Sequence, residues 1–212
     1  MRLVLFTCAL LVGAICLAAD TVPGFTLHRV NTYRSEALGV GDFNNDGKKD
    51  IIALPYLYLA PEFKPVEITK VEGEVDDSGK GYRDDFMNVP LDVDRDGWLD
   101  VVAGNYSQYD MVYLNRGANS SGTWLGLSNG VTIPGSNSGQ EYAIVLGDLN
   151  GDGYVDLVRG NADTQDYVHL NLGGGTFDSG HAITSSSGST RALALGDVNR
   201  DGFLDLVEGK YN

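Results

Sequence analysis

Leu146-Gly147-Asp148-Leu149-Asn150-Gly151-Asp152-Gly153-Tyr154-Val155-Asp156-Leu157-Val158 decides the fold. Oxygen-bearing side chains stand at positions 1, 3, 5 and 9 of its central nine residues, with Gly at position 6. That is the pattern of a Ca²⁺-binding loop, because Ca²⁺ takes six to eight hard oxygen ligands and the glycine allows the sharp turn that gathers them. The phrase recurs three times: Asp42-Phe43-Asn44-Asn45-Asp46-Gly47-Lys48-Lys49-Asp50, Asp92-Val93-Asp94-Arg95-Asp96-Gly97-Trp98-Leu99-Asp100 and Asp197-Val198-Asn199-Arg200-Asp201-Gly202-Phe203-Leu204-Asp205. The first residues of the four copies are spaced by 50, 56 and 49 positions. A period of that size marks repeated structural units.

The flanks of each loop say which units these are. Before the loops run Ala37–Gly41, Phe86–Leu91, Tyr142–Gly147 and Arg191–Gly196; after them run Ile51–Ala53, Val101–Gly104, Leu157–Gly160 and Leu206–Gly209. These are short and apolar, rich in β-branched residues after the loops, and read as strands. A third strand is expected at Met111–Asn115 and Tyr167–Asn171, and a fourth near Thr123-Trp124 and Thr176-Phe177. Four short strands per ~50 residues is the measure of a β-propeller blade. An EF-hand is disfavoured: its position 12 carries a bidentate Glu and leads into a helix, whereas position 12 here is Ala53, Ala103, Arg159 and Glu208.

Two regions depart from the repeat. Residues 54–85 hold Pro55, Pro61 and Pro65, then a polar stretch rich in acidic residues. They read as a long solvated insertion, acidic over about residues 61–85, with Tyr56, Tyr58 and Tyr82 as candidate lining of a partner site. The fourth copy is followed by one strand only, so its blade lacks two strands. Phe25–Val30 offers one outer strand to it, and an open blade edge is a place for association.

The chain has 212 residues and a formal charge of −14. Arg2, the apolar run Leu3–Leu17 and Ala18-Ala19 have the pattern of a secretory signal peptide over residues 1–19. The apolar run falls short of the ~20 residues of a spanning helix. Residues 20–212 are then the mature, exported domain, extracellular or periplasmic, with no membrane insertion after cleavage. Both cysteines, Cys8 and Cys16, fall inside the leader, so the exported domain needs a staple other than disulfides. The loops hold thirteen Asp; outside them sixteen acidic residues face the fourteen basic residues of the mature chain. The acidity is loop acidity, and no basic patch exists to meet nucleic acid.

The pattern resembles the FG-GAP/VCBS repeat family, known from the propeller blades of integrin α-subunits. The residues that carry the resemblance are Leu146–Val158, Leu195–Val207 and the strand-turn phrases Tyr113–Gly117 and His169–Gly173. It implies an all-β fold of about four propeller blades, in an incomplete or truncated ring, since such rings usually have about seven blades. It also implies that each loop joins two inner strands and holds Ca²⁺. The ligands carried over are the side chains of Asp42, Asn44, Asp46 and Asp50; Asp92, Asp94, Asp96 and Asp100; Asp148, Asn150, Asp152 and Asp156; and Asp197, Asn199, Asp201 and Asp205. The backbone carbonyls of Lys48, Trp98, Tyr154 and Phe203 complete them. Lys48 and Lys49 crowd the first loop, while the second has four carboxylates and no Asn, so the second is expected to bind tightest.

Three functional readings follow. A non-catalytic module for adhesion to an extracellular protein or glycan, with structural Ca²⁺, fits most of these features. A lectin on the same scaffold would use Tyr106, Tyr109, Trp124 and Tyr142 to stack on sugars; packing roles are the alternative. A polysaccharide lyase or hydrolase would need an acid/base set, and the sequence supplies little: His28, His169 and His181 are the only histidines, two of them in expected strands, and no His-Glu-x-x-His or Gly-x-Ser-x-Gly motif occurs. No catalytic residue is assigned.

Overall fold

The structure is a computed structural model and describes residues 37–70, 85–106, 108–136, 140–162, 164–184 and 188–211, all within the unit Tyr33–Asn212. The leader, Phe25–Val30 and Tyr82 lie outside the described residues.

Among the described residues the fold is all β, with antiparallel pairing throughout. The first sheet is β1 (Gly39–Gly41), β2 (Asp50–Ala53), β3 (Tyr56–Leu59) and β4 (Lys64–Glu67), in that order. The second is β5 (Asp85–Leu91), β6 (Asp100–Asn105), β7 (Met111–Tyr113) and β8 (Val131–Thr132). The third is β9 (Glu141–Gly147), β10 (Asp156–Asn161), β11 (Tyr167–His169) and β12 (His181–Ala182). The fourth has two described strands, β13 (Ser189–Gly196) and β14 (Asp205–Tyr211).

Each loop joins the first two strands of its sheet in one register. The residue before position 1 pairs with position 9: Gly41 with Asp50, Leu91 with Asp100, Gly147 with Asp156 and Gly196 with Asp205. A one-residue slip would turn every side chain to the wrong face, so the loop sets the sheet as well as closing it. The sheets follow one another in chain order. β1 and β2 touch β5, β5 and β6 touch β9, and β9 and β10 touch β13; among the described residues the first and fourth sheets do not touch.

The core lies between neighbouring sheets. Phe43, Ile52, Leu54 and Leu57 of the first pack on Val101, Ala103, Tyr113 and Leu127 of the second. Val93, Val102, Val112 and Ile133 of the second pack on Ile144, Leu157 and Phe177 of the third. β6 therefore sends Val101 and Ala103 to one side and Val102 to the other, the period-2 alternation of a strand. With a sheet on each side, all six of its residues are buried, which explains why its sequence reads as a continuous apolar run.

Two sequence expectations need correction. The stretch from Leu54 is not a loop: β3 and β4 form within it, and Tyr58 and Leu57 are buried. Pro65 is tolerated because β4 is exposed at every residue and lies at the end of the sheet order, where a missing N–H costs no ladder bond. The rest of that stretch, residues 71–84, lies outside the described residues. The fourth strands are also not at Thr123-Trp124 and Thr176-Phe177. Those positions make isolated bridges within the preceding turns, Ala118 with Trp124 and Asn171 with Phe177, and the strands form later, as β8 and β12.

The sheets approach closely at Gly135, after β8. Its φ is +77°, and a Cβ there would overlap the Ser179 carbonyl oxygen of the third sheet. Gly135→Ala is expected to destabilise the protein by about 2–3 kcal/mol, from backbone strain and overpacking together. Urea unfolding checks this; a midpoint like that of the parent protein would disprove the close approach.

Candidate metal centre

The four loops share one backbone conformation. Position 6 is left-handed in all, with φ of 86°, 90°, 88° and 92° at Gly47, Gly97, Gly153 and Gly202. So is position 4, at Asn45, Arg95, Gly151 and Arg200. The glycine at position 6 was legible in the sequence; the bend at position 4 was not, because three different residue types occupy it.

Side-chain oxygens at positions 1, 3 and 5 hold this conformation by accepting backbone N–H groups. In the second loop Asp92 accepts from Asp96 at 3.1 Å and from Gly97 at 3.0 Å, Asp94 accepts from Asp96 at 3.2 Å, and Asp96 accepts from Trp98 at 2.9 Å. The position-9 carboxylates do something different: they are buried in the first three loops. Asp100 Oδ2 accepts the Val93 N–H at 2.8 Å and its Oδ1 accepts the Asn115 N–H at 2.7 Å, beyond the third strand. Asp156 repeats this with Leu149 and Asn171, and Asp50 with Phe43 and Ala60. Position 9 thus ties the loop to the residues that follow the third strand of its own sheet.

Asn115 and Asn171 extend the tie to the preceding loop. Asn115 Nδ2 donates to the Phe43 and Leu99 carbonyls; Asn171 Nδ2 donates to those of Val93 and Val155. Each Asn therefore clamps two successive loops together.

The loops differ in what faces the position-5 carboxylate. In the first, Lys48 Nζ sits 3.1 Å from Asp46 Oδ2, and this contact holds the Asp46 carboxyl below its ordinary range. In the third and fourth, the Asn150 and Asn199 amides donate to Asp152 and Asp201 at 2.9 and 3.0 Å. The second loop has Asp94 in that place, which brings no N–H. Asp92, Asp94 and Asp100 bring oxygens within 4.8 Å of one another, and no other three acidic or histidine side chains among the described residues do so. Asp96 falls outside that trio. Burial, and then the charges of Asp96 and Asp92, push Asp94 up. Burial pushes Asp100 up to about 6 in spite of its two N–H donors. Carboxylates this close, with no cationic or amide side chain between them, suit a bound divalent cation.

A second polar centre, which the sequence reading missed, lies between the second and third sheets. Arg159 of β10 is buried and pairs with the buried Glu141 of β9. Its Nε donates to His169 Nε2 at 3.0 Å and its NH2 to the Gly135 carbonyl at 2.9 Å. His169 must then carry its proton on Nδ1, which faces the Asp178 carbonyl at 3.1 Å. Burial, and the Arg159 charge, keep this imidazole neutral by lowering its pKa. Asp110, ahead of β7, accepts the Asn105 N–H at 3.0 Å, and its side chain interacts with that of Glu141. Asp110 Oδ2 and Glu141 Oε2 are buried and meet no donor among the described residues; a proton shared by the two carboxyls would satisfy both. Burial first, then the Asp110 charge, pushes Glu141 up to about 10. One shared proton also leaves the cluster neutral against Arg159, the condition for burying it. The only sequence trace was an Arg where the other repeats have Ala or Glu.

Three of the four sugar-stacking candidates are engaged elsewhere. Tyr106 packs edge-on against Tyr142 at 5.6 Å, and Arg191 covers Tyr142 at 3.6 Å. Trp124 Nε1 donates to Asn115, while Tyr109 is exposed. His181 is exposed beside Asp178 at 2.8 Å.

No curated protein gives a match to this chain. The sequence model of the FG-GAP-like repeat matches residues 92–159 and again residues 148–208, so that each match spans two loops and the strands around them. Together the matches cover more than half of the chain, and the protein belongs to the FG-GAP-like repeat family.

Proposed function

We propose that this chain is an exported, non-catalytic repeat module of propeller-type blades, stapled by Ca²⁺ and serving attachment to an extracellular protein or glycan. The carrying observation is the second loop, where Asp92, Asp94 and Asp100 converge and position 3 brings a carboxylate, without the side-chain donor that Lys48, Asn150 and Asn199 turn to the position-5 carboxylate of the other loops. Residues 1–19 act as the secretory leader in this reading, and the absence of cysteine from the rest of the chain makes a metal staple useful.

The residues that would hold the ion are positions 1, 3, 5 and 9 of each loop, with the carbonyls of Lys48, Trp98, Tyr154 and Phe203. Bound Ca²⁺ would supply charge neutralisation. The chain's own contribution is to hold the carboxylates in place through the N–H bonds described above. Lys48 competes with a cation in the first loop, so the second is the tightest site.

Thermal unfolding tests this. At ~2 mM Ca²⁺, sites of extracellular affinity each add about 0.6–1.8 kcal/mol, and the midpoint is expected to rise by on the order of 10 °C relative to excess EDTA. Competition titration should fill the second loop first, and Asp94→Asn should weaken that site about tenfold while leaving the others. An unchanged midpoint would remove the metal from the proposal. A first loop that fills before the second would remove the ranking.

A further inference from the structure

Arg95 stands at position 4 of the second loop, yet its side chain ends against the third. Its Nη1 lies 2.9 Å from the point that a Cβ on Gly153 would occupy, and its guanidinium carbon lies 5.1 Å from the centre of the Tyr154 ring. Gly153 and Tyr154 are positions 6 and 7 of the third loop. Their N–H groups hold Asp148 Oδ2 at 2.9 Å and Asp152 Oδ1 at 2.8 Å. At the position-6 glycines of the other loops, Gly47, Gly97 and Gly202, nothing among the described residues lies within 4 Å of the same point.

Two features make this a placed charge. Tyr154 is itself seated on the turn after β11, 3.4 Å from the Cβ point of Gly173, so it offers the guanidinium a fixed ring, and a cation over a tyrosine ring is attracted by its quadrupole. No carboxylate among the described residues lies within ion-pair distance of Arg95, so its charge is not cancelled by a close partner. Two 2.9 Å contacts and two covalent bonds separate Nη1 from Asp148 Oδ2, which keeps the charge within the ~10 Å screening length of 0.1 M salt.

We propose that Arg95 is the built-in counter-charge of the third loop. It steadies the carboxylates there when no ion is present, opposes a divalent cation that enters, and so sets the third site below the second in affinity. The guanidinium is not a ligand and breaks no bond when an ion arrives; it acts through space on the same carboxylates. One loop thereby tunes the next across the junction of two sheets. The inference rests on the Ca²⁺ reading above and adds to it a residue outside the set of ligands.

The test is a Ca²⁺ titration of the isotope-labelled full chain, read separately at the backbone amides of Gly97 and Gly153, in the parent protein and in Arg95→Gln, Arg95→Glu and Arg95→Lys. All four carry a side chain at a position whose φ is 67°, so the backbone cost is common to them. Arg95→Gln is expected to raise the affinity read at Gly153 by about three- to tenfold, and by less at Gly97. Arg95→Glu should go further and Arg95→Lys should stay near the parent. The gain should shrink in ~1 M KCl, where the screening length is ~3 Å. In EDTA the sign reverses: Arg95→Gln should lower the urea midpoint, and Arg95→Lys should not. Equal or weaker affinity at Gly153 in Arg95→Gln, a larger change at Gly97 than at Gly153, or an unchanged urea midpoint in EDTA would each overturn the proposal and leave the Ca²⁺ reading standing. Silence of both amides in the parent protein would overturn the Ca²⁺ reading and this proposal with it.

Discussion

Arg159→Met is expected to lower the stability of the protein by about 3–5 kcal/mol, because it strips the cation from a buried carboxyl pair and leaves the remaining charge uncompensated. Glu141→Gln should be much milder. Gln keeps the shape, offers Asp110 an N–H where the shared proton stood, and leaves Asp110 and Arg159 balanced in charge. Urea unfolding of the two variants at neutral pH separates the roles. Equal damage from both would mean that no proton is shared between Asp110 and Glu141.

The same centre sets a pH dependence. Glu141 is held up to about 10 in the folded protein, and Asp110 is raised as well. Folding therefore takes up protons between the ordinary carboxyl range and about pH 10. The stability this contributes is fully present below the unfolded pKa and is lost as the pH rises through the folded one. Asp100, pushed up to about 6, adds a component of the same sign at lower pH when no cation neutralises it. Neutral His169 adds a component of opposite sign below about pH 6.5, the ordinary histidine value, so in EDTA the urea midpoint should fall from about pH 7 to pH 9, and Glu141→Gln should flatten that slope. A midpoint that rises over this range would contradict the buried proton.

Asp156→Ala carries the second large effect. Its two oxygens accept N–H groups from Leu149 and Asn171 at 2.9 Å each, and both donors would lose a charged partner. A loss of about 3 kcal/mol is expected. It should persist in EDTA, since it does not depend on an ion. Asp152→Ala, at position 5 of the same loop, should cost little in EDTA and remove part of the Ca²⁺ increment. If Asp156→Ala loses its effect in EDTA, position 9 is a ligand only and not a tie between loop and strand.

The loops and the two strands around each were legible in the sequence because both signals are local. Nine residues specify the loop, and apolar runs of three to six residues flank it. The stretch from Leu54 departs from its reading as an insertion because β3 and β4 form within it, and Pro65 on the edge strand β4 breaks no ladder bond. β8 and β12 are two residues long, too short for any alternation to show. The Asp110, Glu141, Arg159 and His169 centre was hidden for another reason. Its successive members stand 10 to 31 residues apart along the chain, and they become one group only once the second sheet is known to lie on the third. The motif names the residue type at position 9 and not its burial, so the tie to the third strand was not legible beside the expected role as a ligand.

The neighbour-only arrangement of the sheets bears on how such a chain grows and fails. Every contact between described sheets, and every Asn clamp, reaches one unit and no further. Stability then accrues by unit and by junction, as in a one-dimensional array. Inserting or deleting a repeat disturbs one junction and leaves the rest of the register intact. By the same logic the junctions open one at a time, and the junction of the second and third sheets, locked through Arg159 and the Gly135 carbonyl, is the last to open.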